Sequence, residues 1–305
     1  MKKISLKPEE YLLWSHVIAM VFGLAGLLLV LPHPGFIASL PEFGMVAFRL
    51  SMANGGVMYM VLGMLAIALY GYRLLGAVKL LTFLIPALAI SVSAELMGTS
   101  TGFPFGAYHY TTGLGYKIAG LVPFTIPLSW FYLGFSSFLI ARVGLQKYNL
   151  PRWAYTLAAI ALGSLLLTSW DFVLDPGMSQ TSVPFWEWEV VGPFFGMPYE
   201  NFTGWFGTGT IFMGIASLFW GKKTMSFSRE QLFVPFVMYL SNFVFATMMS
   251  LGGGIVGPLP LGFVLGLAPV VALYYSIPKA SEQTTTTPVI EELPPTEKIP
   301  VVAGR

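Results

Sequence analysis

Runs of about 20 predominantly apolar residues recur along this chain, near 11–31, 52–72, 78–97, 121–141, 154–171, 204–220, 232–251 and 255–277. An α-helix rises about 1.5 Å per residue, so roughly 20 residues cross a hydrocarbon core of about 30 Å. Inside lipid only helices and closed barrels satisfy every backbone N–H and C=O, and continuous apolar runs lack the alternation of barrel strands. The pattern predicts an all-α polytopic membrane protein: a bundle of about eight transmembrane helices with two long outer loops. Composition agrees, since 55% of the residues are hydrophobic and only 10% charged, too little polar surface for a soluble domain.

Orientation follows from the basic residues, because Lys- and Arg-bearing loops stay cytoplasmic. Threading eight spans puts fourteen of the 16 bases on one side and leaves only Arg49 and Lys117 on the other. Both termini are therefore expected in the cytoplasm, in either the plasma membrane or an internal one. The first run is too long for a signal-peptide core and lacks a small-residue cleavage site, so it reads as a span. The expected organisation is a cytoplasmic segment 1–10, a transmembrane catalytic domain 11–277 and a disordered cytoplasmic tail 278–305, rich in Thr, Pro and Glu. Scattered loop bases of this kind are topology determinants, and no nucleic-acid partner is expected.

The acids are distributed differently. Seven of 14 fall on the base-poor side: Glu42, Glu95, Asp171, Asp175, Glu187, Glu189 and Glu200. Two loops on that side, 98–120 and 172–203, are long for connectors and crowded with aromatics, including Tyr108, Tyr110, Trp186 and Trp188. Such rings also serve as interfacial anchors, so they do not define a site alone. Carboxylates at membrane depth are costlier, which makes Glu95 and Asp171, at the ends of predicted spans, functional candidates. Asp175 shares a helix face with Asp171 if the helix continues; otherwise Asp175, Pro176 and Gly177 form a turn, and Pro176 marks the expected helix end. His109, between two tyrosines, is either a proton carrier or an interface histidine.

Other chemistry finds little support. The chain has no cysteine, so disulfides and thiolate chemistry are excluded. His16, His33 and His109 show no paired metal-ligand spacing, and no metal site is expected. The glycine runs lie in spans without any nucleotide-binding context. Asn201, Phe202 and Thr203 form a formal glycosylation sequon.

The strings "AELMGTSTGFPFGAYHY", "VPFTIPLSW", "WDFVLDP", "WEWEVVGPFFGMP" and "NFTGW" resemble, in order and spacing over about residues 90–210, the carotenoid biosynthesis membrane proteins typified by gamma-carotene 1',2'-hydratases and bisanhydrobacterioruberin hydratases. The resemblance implies cofactor-independent addition of water to the terminal isopropylidene double bond of an acyclic carotenoid end. The product would be a tertiary alcohol that a downstream glycosyltransferase could modify. Such a reaction needs a proton donor, tolerance of a tertiary carbocation, and one held water. Glu95 or Asp171 is expected to donate the proton, with Asp175 and His109 assisting. Tyr108, Tyr110, Trp186, Trp188 and Trp205 are the expected cation-facing rings, and Thr99, Thr101 and Asn201 the expected water-holding groups. Glu187 and Glu189, alternating with the tryptophans, are expected to face solvent. An acid-initiated carotenoid cyclase and a non-enzymatic carotenoid or prenyl-lipid carrier are the alternatives.

Overall fold

The computed structural model describes residues 6–181, 183–220, 225 and 227–280; the first five residues and the expected tail beyond 280 lie outside them. The chain folds into α1 (Pro8–Ala25), α2 (Pro34–Ala38), α3 (Glu42–Leu75), α4 (Ala77–Thr101), α5 (Thr125–Gly144), α6 (Arg152–Ser179), α7 (Tyr199–Trp220), α8 (Phe233–Gly252), α9 (Leu259–Gly262) and α10 (Ala268–Ser276). A π-helical turn, Gly26–Val30, prolongs α1, and another, Phe263–Leu267, joins α9 to α10. Among the described residues eight helical stretches are long and apolar enough to cross a membrane, and the protein is an all-α polytopic membrane protein.

Helix α5 is the axis of the bundle, 89% buried over its apolar window against 17% for α1. It packs against α3, α4, α6, α8 and α10. Shielded from lipid, α5 can carry Ser129 and Ser136, whose hydroxyls donate back to Ile126 O (2.8 Å) and Tyr132 O (2.7 Å). His16 of α1 is also buried: its ring bonds Tyr59 O through Nδ1 (2.6 Å) and Asn242 Nδ2 through Nε2 (3.0 Å), tying α1 to α3 and α8.

Two boundaries differ from the sequence expectation. Helix α3 starts at Glu42 rather than near 52 and runs for 34 residues, about 51 Å at 1.5 Å each, well beyond one hydrocarbon core. Arg49 and Ser51 interrupt the apolar run, but outside that core they need not interrupt a helix. Helix α6 does not end at Pro176 but continues to Ser179. Tight packing holds it there: Ser250 Oγ donates to Val173 O at 2.5 Å, and a Cβ on Gly177 would lie 2.7 Å from Ser250 N.

The second outer loop, 180–198, is shorter than the expected 172–203, the first is as long as expected, and both are structured. Gly102, at φ +83°, caps α4 in the left-handed conformation. Strand β1 (Tyr108–Tyr110) pairs with β4 (Trp186–Trp188), aligning Tyr108 with Trp188, His109 with Glu187 and Tyr110 with Trp186. Between them, β2 (Lys117–Ile118) and β3 (Val122–Pro123) form a small hairpin. The sheet β1–β4 covers the ends of α4 and α6, where the acids lie.

Candidate active site

Helix α4 carries Glu95 near its end, helix α6 presents Asp171 and Asp175 one turn apart, and α7 carries Asn201 and Trp205 near its start. Strand alternation supplies the cover: residues of one parity face inward, so Tyr108, Tyr110 and Trp186 are buried and Trp188 is half-buried. Together these side chains line a cavity of about 50 Å³. A water needs about 10–15 Å³, so the cavity has room for a few. No Lys, Arg or His is among its lining residues.

The three carboxyl groups are all at least 97% buried, yet their partners differ. Glu95 is surrounded by donors: Tyr108 and Tyr110 hydroxyls donate to Oε2, the latter at 2.8 Å, and Trp130 Nε1 donates to Oε1 at 2.8 Å. Asp175 accepts from Trp188 Nε1 at 2.9 Å and Trp186 Nε1 at 3.1 Å, with Ser179 Oγ more distant at 3.3 Å. Asp171 accepts from Asn201 Nδ2 at 2.7 Å through Oδ2, while its Oδ1 has no hydrogen-bond partner among the described residues. A buried oxygen without a partner is costly, so Asp171 Oδ1 calls for a water, a proton or a ligand.

Burial and the neighbouring Glu95 push the Tyr108 and Tyr110 hydroxyls well above their ordinary pKa. Both remain neutral donors. The rings form an apolar wall: Trp130 stacks on Trp205 at 4.0 Å between centroids, Trp170 meets Trp205 edge-on at 5.8 Å, and Tyr108 lies 5.1 Å from Trp188.

Of the residues singled out in sequence, Glu95, Asp171, Asp175, Tyr108, Tyr110, Trp186, Trp188, Asn201 and Trp205 converge on this cavity. Three do not. His109 points the other way, because it sits between the two inward tyrosines of β1; its ring meets Glu187 at 3.5 Å on the exposed face. Thr99 and Thr101 turn their hydroxyls back onto Glu95 O (2.9 Å) and Met97 O (2.8 Å) of their own helix. Asn201 is buried against carboxylates, so the formal sequon is inaccessible here. Sequence reasoning missed Trp130 and Trp170. Their signal was a tryptophan inside a polar-spotted span and one directly before Asp171. Among the described residues no three His, Asp or Glu side chains are placed to share a metal ion.

Fold and site define a polytopic membrane protein with a buried pocket of acids and aromatic donors beneath a two-stranded cover. A family model described as "Carotenoid biosynthesis protein" matches residues 55–269, and the chain belongs to that family. A curated relative, the bisanhydrobacterioruberin hydratase of Haloarcula japonica, is 32% identical over 121 residues, which is 40% of this chain and 39% of the relative. The aligned stretch thus spans well under half of either protein. No solved structure matches.

Proposed function

We propose that this protein is a carotenoid-modifying enzyme, a hydratase that adds water across the terminal isopropylidene double bond of an acyclic carotenoid end. The observation that carries the reading is Asp171 Oδ1, a buried oxygen without a partner in a water-sized cavity walled by tryptophans. Fixed N–H and O–H donors already occupy the oxygens of the other two carboxyl groups. Asp171 has the fewest donors and a free oxygen on which to carry a proton. It is therefore assigned as the acid, ahead of Glu95.

The alkene π electrons take the proton from Asp171 Oδ1, forming a C–H bond at the less substituted carbon and leaving the O–H electrons on the carboxylate. The tertiary cation that results lies against ring faces, each worth about 0.5–2 kcal/mol to a cation. The carboxylate left on Asp171 supplies compensating charge, and the donors bound to Glu95 and Asp175 blunt those groups as bases that would return the cation to an alkene. A water lone pair then forms the C–O bond, and the excess proton returns to Asp171. No electrons are gained or lost, and the acid is regenerated.

The name of the Haloarcula relative and the family membership support a carotenoid as substrate. Expression in cells that make an acyclic-ended carotenoid tests the reading: a product heavier by one water is expected. A new ring at unchanged mass would replace it with the cyclase. Bound pigment without any product would favour the carrier.

A further inference from the structure

A second and larger cavity, of about 550 Å³, adjoins the first, and Tyr59 and Met178 line both. It opens between the end of α1 and the extended first half of α3, with Gly26 and Gly55 on its two sides and Phe185 and Phe245 among its aromatic walls. Its lining is mostly apolar, with Met20, Leu27, Phe48 and Met52 beside these rings. The small cavity holds the acids but has little length; the large one has length and no carboxyl group among its lining residues.

We propose that this second cavity seats the polyene chain that continues from the reacting end, so that a long hydrocarbon enters sideways between α1 and α3 and reaches Asp171 past Tyr59 and Met178. The proposal rests on the hydratase reading for the identity of that end. Continuity with the acid cavity is the physical argument: a ligand whose end lies against Asp171 finds its apolar continuation in the space beyond Tyr59. Size selectivity follows, because the acid cavity alone has room for little more than the reacting end.

The lining glycines allow a test that spares the backbone. A Cβ on Gly26 meets nothing within 4 Å, and one on Gly55 meets only Ser51 Oγ at 3.8 Å. Gly26→Phe and Gly55→Phe would fill the cavity, whereas Gly214→Phe, equally open but outside both cavities, serves as the control. Full-length protein would be purified from cells making an acyclic carotenoid, and retained pigment and phospholipid measured alongside hydration of a short terpenoid with the same terminal double bond. Each plug should lower pigment retention at least about tenfold, with short-terpenoid turnover and Gly214→Phe unchanged. Wild-type pigment levels in both plugged variants would overturn the proposal, as would plugs that displace only phospholipid or a wild type that retains no carotenoid. If wild type retains pigment but hydrates nothing, the hydratase reading fails while the retention comparison still decides the cavity.

Discussion

Asp171, Asp175 and Glu95 are equally buried, and only their hydrogen-bond partners distinguish them. Asp171→Asn keeps the shape and the bond to Asn201 but removes the transferable proton. Water addition should fall about 100- to 10,000-fold while pigment retention persists, as product mass and bound pigment would report. Trp205→Leu removes one of the rings proposed to face the cation and should cost only about 2- to 30-fold in turnover, from a contact of about 0.5–2 kcal/mol. His109→Gln and Glu187→Gln lie on the outer face and should stay within about threefold of wild type. The tyrosines give a pH test. Tyr108 and Tyr110 have pKa values raised above the unfolded value of about 10, so the folded state holds protons that the unfolded state releases. Their contribution to stability is complete below about pH 10 and declines as pH rises beyond it. Thermal denaturation above that pH should show a steeper loss for wild type than for the Tyr108→Phe, Tyr110→Phe double variant.

At the scale of elements, the site depends on how the loop after α4 and the start of α7 fit together. Gly204 of α7 sits so close to Phe105 that an added Cβ would lie 2.4 Å from the ring and 2.8 Å from Pro104 O. Because backbone as well as side chain must move, Gly204→Ala should destabilise by about 1–3 kcal/mol, measured as a lowered melting temperature. The shift should also displace the cover, reducing turnover by more than Glu187→Gln does. The cover was only partly legible in sequence: the alternation of Trp186 and Trp188 with Glu187 and Glu189 marked the two acids as solvent-facing, without marking a strand. Its partner was not legible, since β1 and β4 are separated by two membrane spans.

For the whole molecule, the fourteen-to-two division of basic residues across eight apolar spans predicts that both chain ends lie on one side and the cover on the other. A reporter fused after residue 280 should read cytoplasmic, and one inserted after Val190, 76% exposed in the cover loop, should read the opposite side. Identical readings would overturn this topology.

The apolar runs alone determined the fold class and the number of spans, because lipid penalises every unsatisfied backbone group and so admits few solutions. The candidate acids and most of the aromatics were also legible, because a charge in an oily run is costly and stands out. Tertiary structure alone decided which carboxyl oxygen lacks a donor, that His109, Thr99 and Thr101 face away, and that Trp130 and Trp170 complete the wall. Each of these depends on contacts between residues distant in the chain, such as Glu95 with Trp130 and Asp171 with Asn201, and hydropathy carries no information about such pairings.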